Sequence, residues 1–333
     1  MPEDEEELVV DDDAREVAQY VYDAFYSPAA QARIRPPRVE LLRMTNDQYR
    51  HSVADLVASF LPRPKVGEER GLRARYSSQL SGTGGQKGNR NKKDNGKRIN
   101  RDRVDPQVSF DFGDEAPMEG MNQQNFKIHW EGSVLAPETG SYQFRLRSHN
   151  GVLLHLNSRG RDREMDGFID GYVNGNNELQ EKVGRMDLLG GRAYPLKLVF
   201  LSYREKRSSV HLEWKRPHGV WEVIPTEFLL PQRVEPVMVV QTAFSADDRS
   251  LGYERGSDIS KEWQSSTTYA AVEVVNRVLA ELEERKTFDP ERGDRVQAMQ
   301  KFAGEFASRA FRRPLSEEQR KRLVDQHFAE SAD

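Results

Sequence analysis

FKIHWEGSVLAPETGSYQFRLRSHNGVLLHL, residues 126–156, decides the fold. Apolar and polar side chains alternate with period two in three successive runs, separated by turn-forming clusters at 136–140 and 149–151. Such alternation is typical of half-buried antiparallel strands, here a meander with one face buried against a second sheet. The sequence therefore predicts a multidomain α+β chain with a central antiparallel β-sandwich flanked by helical segments. Trp130 and Trp214 lie in predicted strands and should anchor its core, because large aromatic side chains dominate core burial.

Composition limits the class of protein. The chain of 333 residues carries 54 acidic and 50 basic side chains. Because these charges nearly cancel, the net charge indicates neither nucleic acid nor a membrane surface as a partner. Zero cysteines exclude disulfides, thiolate metal sites and cysteine catalysis. No apolar run approaches the ~20 residues of a transmembrane helix, and the acidic N-terminus lacks the features of a signal peptide. The chain is expected to be cytoplasmic or a piece of a longer exported protein.

Helical patterns precede the sandwich. Apolar residues recur at helical spacing over 13–25, and a capping box at Thr45–Gln48 opens a second helix that prolines end after Phe60. On this second helix His51 and Asp55 are four residues apart. That spacing suits an acid–base pair, but on a helix surface it far more often reflects plain charge pairing, which we expect here.

Helical patterns also follow the sandwich. Helices are predicted from about residue 268 to 285 and from 295 to 311, and a capping box at Ser316–Gln319 opens a third. The side chains expected on the buried faces of the first two are Val272, Val275, Leu279, Leu282, Met299, Phe302, Phe306 and Ala310.

A basic run, SGTGGQKGNRNKKDNGKRINRDR, covers residues 81–103 with eight basic and two acidic side chains. A basic arm can bind RNA or DNA, but single-strand binders interleave aromatic residues for stacking, and this run has none. Its glycine, asparagine and lysine content favours a long mobile loop that can be removed. The sequence therefore predicts no nucleic-acid partner.

Two polar segments can be compared with known kinds of site. Residues 166–172 place two carboxylates four apart without the full Asp-x-Asp-x-Asp-Gly pattern of a calcium loop, and no two histidines stand at metal-ligand spacing, so no metal site is predicted.

Residues 247–258 are dense in potential acid–base groups. No nucleophile–base pair can be assigned there, so salt bridges and turns are favoured over catalysis, and no catalytic residue is predicted. The candidates in this polar loop are Asp247, Asp248, Arg249, Tyr253 and Arg255.

Several strands together resemble a known family. The segments 130–156, FIDGYV at 168–173, the strand 194–200, and HLEWKRPHGVWEVIP at 211–225 resemble the protective-antigen (PA14) domain, with GLRARY as its first strand. The resemblance covers roughly residues 69–231. It implies a β-sandwich of the kind found in toxins, adhesins and glycosidases, often binding carbohydrate.

The resemblance also suggests where a ligand would bind. Some sugar-binding members hold calcium with an adjacent pair of aspartates, and this chain has His149-Asn150 at that place. Glycan binding without calcium is therefore expected. The candidate ligand-binding residues are taken from two segments at the ends of predicted strands, 148–151 and 166–175, and are Asn150, Asp170, Tyr172 and Asn174.

The flanks resemble a second family. Segments at 39–57, 250–263 and 306–319 are similar to parts of large exported planctomycete proteins with domains of unknown function (the fifteen-eighty-seven and fifteen-ninety-two types). Such proteins commonly carry a cytochrome-c-like module upstream. One interpretation is that Met1-Pro2 and the helix over 13–25 are the end of such a module. The alternative is that Met1 is an ordinary start residue followed by a solvated N-terminal tail. This chain lacks Cys-x-x-Cys-His, so haem is expected only in a missing upstream module and no cofactor in the chain itself.

These observations predict four parts: a helical segment 1–67, the sandwich 68–231 with its mobile basic loop 81–103, a linker 232–262 and a helical domain 263–333. The leading hypothesis is a non-catalytic module of an exported protein that binds polysaccharide or another cell-surface polymer and contacts neighbouring domains. Two alternatives stay open: a scaffold within a cytochrome-linked redox or polymer-degrading enzyme, and a purely structural sandwich.

Overall fold

The computed structural model describes residues 11–34, 43–62, 67–79, 98–158, 167–174, 176–284 and 295–330. Two compact units divide the chain. The first unit combines residues 1–46 with 244–264, and the second combines 47–243 with 265–333. In the described residues no helix is both long and apolar enough to cross a membrane.

The described part of the first unit contains two short helices and a loop region. Its helices are α1 (Asp11–Val21), extended by one π-helical turn (Tyr22–Tyr26), and α2 (Pro28–Ile34). The helix predicted over 13–25 is thus present, and Ser27 in extended conformation separates it from α2. Its apolar stripe is not buried within the described residues, since Val17 and Val21 are exposed.

Among the described residues, the second unit contains twelve strands, which form two sheets of antiparallel pairs. One sheet has the order β2-β1-β4-β9-β6-β7 with β12 beside β4, and the other has the order β11-β10-β5-β8 with β3 beside β10. The strands are β1 (Leu72–Gln79), β2 (Arg98–Asp105), β3 (Ser109–Gly113), β4 (Asn125–Ala136), β5 (Gly140–Ser148), β6 (Gly151–Leu156), β7 (Ile169–Gly171), β8 (Gln180–Leu188), β9 (Arg192–Tyr203), β10 (Ser208–Lys215), β11 (Trp221–Val223) and β12 (Leu229–Leu230).

The core lies between the two sheets. The side chains of Trp130 and Trp214 are both 0% exposed, which confirms their predicted place in the core. All three alternating runs of residues 126–156 are strands with their apolar faces buried, as expected. The predicted meander, however, is wrong. β4 and β6 both pair with β9 in one sheet, while β5 pairs with β8 and β10 in the other.

A buried carboxylate ties the core to the sheet edge. Asp105, at the end of β2, accepts hydrogen bonds from Trp130 Nε1 and the Tyr76 hydroxyl, each at 2.7 Å, and pairs with Arg103. Burial and the Asp105 carboxylate raise the pKa of Tyr76 well above its ordinary value. β2 also corrects the predicted basic loop, because residues 98–103 form a strand paired with β1. Residues 80–97 lie outside the described residues.

Helix α3 (Asn46–Ala58) packs against the sandwich through polar contacts. His51 Nε2 lies 3.1 Å from Thr139 Oγ1, and Arg192 Nη2 donates to Asp55 Oδ1 at 2.7 Å. The expected surface pairing of His51 with Asp55 is therefore wrong, because both side chains contact the sandwich. His155, on β6, is buried as well, although it falls on the polar side of the alternating pattern in the sequence.

The remaining helices follow the sandwich. They are α4 (Lys261–Glu284), α5 (Arg295–Ala310), α6 (Glu317–Arg320) and α7 (Gln326–Glu330), with a π-helical stretch (Lys321–Asp325) between the last two. The predicted capping box at Ser316 and Gln319 is present. On α5, Phe302 and Phe306 pack on Phe60, with ring centroids 5.1 and 5.7 Å apart. Ala310 is exposed.

The buried face of α4 differs from the predicted one. Val272, Val275 and Leu279 are exposed, while Ala270 and Val274 are buried. Glu273 gives a physical reason, because its carboxylate accepts the backbone N–H groups of residues 241 and 242 at 2.8 and 3.1 Å. These hydrogen bonds turn this side of the helix toward the chain after the sandwich.

Candidate ligand-binding site

Three connections meet at one edge of the sandwich: the β5–β6 turn, the segment between β7 and β8, and the β9–β10 turn. Asn174 and Asn177, in the second of these, both donate from Nδ2 to the carbonyl of His149, at 2.9 and 3.0 Å. Asn177 Nδ2 also donates to the carbonyl of Arg207 at 2.9 Å. We call this region the polar edge; it comprises His149, Asn150, Asp170, Tyr172, Asn174, Asn177 and Arg207.

Asn150 holds the polar edge together from within. It is 1% exposed, its Nδ2 donates to the carbonyl of Arg207 and its Oδ1 accepts from the backbone N–H of Ser209, both at 3.2 Å. Gln180 Nε2 donates hydrogen bonds to the backbone carbonyls of Asn150 and Gly171, at 2.9 and 2.8 Å, and so links the two loops. The side chain of Asn150 therefore positions the loops, and both ends of its amide are already bonded.

The solvent side of the polar edge is formed by residues that follow β7. Asp170 Oδ1 accepts the backbone N–H of Tyr172 at 2.9 Å, which turns the chain at the strand end. Asp170 is exposed and Tyr172 is 39% exposed, so a carboxylate and an aromatic ring face water together. Asn174 is half-buried and donates to two backbone carbonyls. The four candidates predicted from the sequence thus meet at one edge.

Sequence reasoning missed an ion pair at the polar edge. Arg207 Nη2 lies 2.9 Å from Asp111 Oδ2, and this hydrogen bond is the main reason that the pKa of Asp111 is lowered. Next to it, His149 Nδ1 lies 2.7 Å from Ser209 Oγ. Burial, and then the charge of Arg207, lower the pKa of His149. Asp111 is on β3, far from Arg207 in the sequence, and no local pattern connects the two.

The residues at 149–150 do not fit a calcium ion. Calcium prefers hard oxygen ligands. His149 offers no side-chain oxygen, and the Asn150 oxygen is bonded to a backbone N–H. Within the part of the chain that the structure describes, no group of three or more histidine, aspartate or glutamate residues could hold a metal ion. Hydrogen-bonding and aromatic groups are the chemistry that the polar edge offers.

The polar loop at 247–258 lies in the first unit. Asp247 Oδ1 pairs with Arg43 Nη1 at 2.6 Å, with side chains only 4% and 5% exposed, and Asp247 Oδ2 accepts the backbone N–H of Asn46 at 2.8 Å. The guanidinium of Arg43 also lies over the ring of Trp263 at 4.2 Å. These bonds join segments that are about 200 residues apart.

The other polar-loop candidates make separate contacts. The backbone and hydroxyl of Ser250, and then Arg255, bond to Asp248 and lower its pKa to about 2. Arg249 pairs with Glu254, and Tyr253 is exposed. A functional site at this loop, the alternative less favoured than salt bridges and turns, stays a prediction. The haem-module interpretation of Met1-Pro2 also stays a prediction, because both residues lie outside the described residues.

Comparison with known proteins agrees with the sandwich. Residues 80–227 match the family model of the PA14 domain. Anti-sigma-I factor RsgI3 of Acetivibrio thermocellus is 25% identical over 127 residues, which cover 38% of this chain and 18% of that protein. The chain therefore spans only a small part of this curated relative.

Three solved structures are also similar. An anti-sigma factor domain-containing protein from Clostridium clariflavum has a TM-score of 0.39 at 23% identity, covering 54% of this chain and 52% of that chain. The Epithelial Adhesin 6 A domain from Candida glabrata, in complex with Galβ1-3GlcNAc, has a TM-score of 0.40 at 12% identity, and the match covers 55% of this chain and 96% of that chain. A PA14 sugar-binding domain from an RTX adhesin has a TM-score of 0.34 at 15% identity, and the match covers 49% of this chain and 98% of that chain. The match to the PA14 family model covers less than half of the chain, and it falls on the sandwich.

Proposed function

We propose that the sandwich is a non-catalytic module that binds a glycan or another cell-surface polymer, and that the polar edge is its binding site. The observation that carries this proposal is that the segment with Asp170, Tyr172 and Asn174 meets the turn with Asn150, about 20 residues earlier in the sequence. Sugar sites combine an aromatic face with a few converging hydrogen-bonding groups. Tyr172 and Asp170 supply these groups on the solvent side, and Asn150 and Asn174 hold the loops that present them.

Binding at this edge is proposed to be independent of calcium. The family resemblance implies a calcium-dependent route in some members, but His149 and Asn150 offer no free oxygen ligand for the ion. The ligand is then held by direct hydrogen bonds and by stacking on the Tyr172 ring.

The setting of this module is also a proposal. The flanking segments support a place within a large exported protein of the planctomycete type, with neighbouring domains as partners and a cytochrome-c-like module upstream. In that setting the chain would bring the rest of the protein to a polymer surface and would leave chemistry to other domains.

A glycan array probed with the whole chain, with and without calcium, tests the proposal. We expect specific binding that calcium does not change and that Tyr172→Ala weakens about tenfold, on the scale of one aromatic stacking interaction. Tyr269→Ala, which removes an exposed tyrosine from α4, is the matched control and should bind normally. Calcium-dependent binding would contradict the argument at 149–150. Binding to no glycan would favour a purely structural sandwich.

A further inference from the structure

The outer face of the five-stranded sheet points away from the core. Strand register places Trp221 beside Lys215, Lys215 beside Gln143, and Gln143 beside Arg185. One residue from each of β11, β10, β5 and β8 therefore stands in a single line across the sheet. We call these four residues the cation row.

The charges next to the cation row compensate one another. Arg145 Nε lies 2.5 Å from Glu213 Oε2, and its guanidinium lies 4.3 Å from the centroid of the Trp221 ring. Arg147 is shared between Glu213 at 3.7 Å and Glu181 at 4.0 Å. Two arginines thus face two glutamates, and the Arg145 stack fixes the indole at the end of the row.

The cation row itself has no such compensation. Among the described residues, neither Lys215 nor Arg185 forms an ion pair, and the Gln143 amide forms no hydrogen bond. Arg185 Nε donates to Ser141 Oγ, which orients the guanidinium and leaves its outer nitrogens to solvent. The row therefore presents two unpaired cations, an unpaired amide between them and an indole at one end.

The spacing of these groups points to a kind of ligand. Neighbouring strands lie about 4.8 Å apart, so the Cα atoms of Lys215 and Arg185 are about 10 Å apart. That distance is comparable with the length of two pyranose rings. We propose that the cation row binds an acidic polysaccharide with a carboxylate or sulfate on alternate sugars, laid across the strands. Lys215 and Arg185 bind successive anionic groups, Gln143 bonds the hydroxyls between them, and Trp221 packs on a sugar ring.

This second surface is distinct from the polar edge. Gln143 and His149 are six positions apart along β5 and its turn, which corresponds to about 20 Å in an extended strand. The inference does not depend on the function proposed for the polar edge, and each surface can be tested by its own variants.

The experiment is a titration of the whole chain with a short hyaluronan oligosaccharide, which carries one carboxylate on every second sugar. Binding is expected at low salt and should weaken as salt screens the cations. The double variant Lys215→Gln, Arg185→Gln should bind about tenfold more weakly, on the scale of two solvent-exposed ion pairs lost together. Arg73→Gln with Arg101→Gln removes two exposed cations from the other sheet and should bind like the unchanged chain.

Several outcomes would overturn the inference. Unchanged binding by the Lys215/Arg185 variant would do so, and so would an equal loss in both double variants, which indicates attraction to net charge alone. Equally tight binding of single-stranded DNA would make the surface a general polyanion-binding face. Loss of hyaluronan binding in Tyr172→Ala would move the ligand to the polar edge. Retained binding in Tyr172→Ala, with unchanged thermal unfolding of both double variants, supports the assignment.

Discussion

Three hydrogen-bond donors meet the buried carboxylate of Asp105, namely Trp130 Nε1, the Tyr76 hydroxyl and Arg103. We expect Asp105→Ala to lower the free energy of unfolding by about 3–5 kcal/mol, because it leaves these donors without their acceptor inside the core. Urea unfolding measures this loss. Asp102→Ala on the same strand is the control and should cost less than about 1 kcal/mol, since its pair with Arg75 is exposed. Similar losses in both variants would contradict the role given to Asp105.

Trp130 combines bulk with a hydrogen bond, and the two contributions can be separated. Trp130→Ala should cost about 3–5 kcal/mol, as other large aromatic truncations in cores do. Trp130→Phe keeps most of the bulk and loses the bond to Asp105, so it should fall between the alanine variant and the unchanged chain. Chemical denaturation measures both. A cost below about 1 kcal/mol for the alanine variant would place Trp130 outside the core.

Two histidines near the polar edge predict a dependence of stability on pH. Burial, and then the charge of Arg207, lower the pKa of His149 below 6.5, and Asp111 opposes this shift. Burial, and then the charge of Arg147, lower the pKa of His211 in the same way, and Glu213 and Asp111 oppose it. Below that pH the unfolded chain therefore binds protons that the folded chain does not, and the folded state loses stability as the pH falls.

We expect the free energy of unfolding to decrease between about pH 7.5 and about pH 5, and to decrease less when both histidines are changed to asparagine. Urea unfolding at the two pH values measures the difference. An equal decrease in the unchanged chain and in the double variant would assign the effect to other groups.

At the scale of elements, the alternation in residues 126–156 predicted strands and their buried faces but not their partners. β4, β5 and β6 all turn apolar residues to one interior, and this period is the same whether a strand pairs with its neighbour or crosses to the facing sheet. The face of α4 escaped prediction for a related reason. Its apolar residues surround much of the helix, and the hydrogen bonds of Glu273 decide which side is covered.

The β1–β2 connection predicts which deletions the sandwich tolerates. Register already pairs Gln79 with Arg98, so a short turn in place of residues 82–96 closes the same hairpin. We expect that deletion to leave the melting temperature nearly unchanged, because loop length affects closure entropy only weakly. Deletion of 82–103 removes most of β2 together with Arg103 and should lower the melting temperature clearly. The same thermal unfolding assay compares both, and similar effects would refute this account.

At the scale of the whole molecule, the buried pair of Arg43 and Asp247 joins the two segments of the first unit. Arg43→Ala should raise amide hydrogen exchange at residues 244–258 and leave the sandwich core protected. The substitution leaves the buried carboxylate of Asp247 without its cation, which costs about 3–5 kcal/mol. Arg249→Ala breaks only an exposed pair in the same loop and is the control. Increased exchange in the core of the sandwich would show that the two units do not unfold separately.

The candidate site could be predicted only in part. Residues near strand ends are visible in the sequence, which is how Asp170 and Tyr172 were selected. The function of Asn150 was not visible, because its burial depends on the distant carbonyl of Arg207. The pair of Asp111 and Arg207 also depends on strand pairing across the fold, and no spacing in the sequence encodes it.

The order in which the first unit is synthesised follows from its two segments. Asn46 leaves the ribosome 201 residues before Asp247, the carboxylate that accepts its backbone N–H. At about 5–20 residues per second, the early segment waits about 10–40 s for its partner. During that interval the whole of the sandwich emerges, and it has time to fold before the first unit can close. A chain stalled once residue 243 has left the ribosomal exit tunnel should therefore contain a folded sandwich, preceded by an N-terminal segment that proteases still cleave.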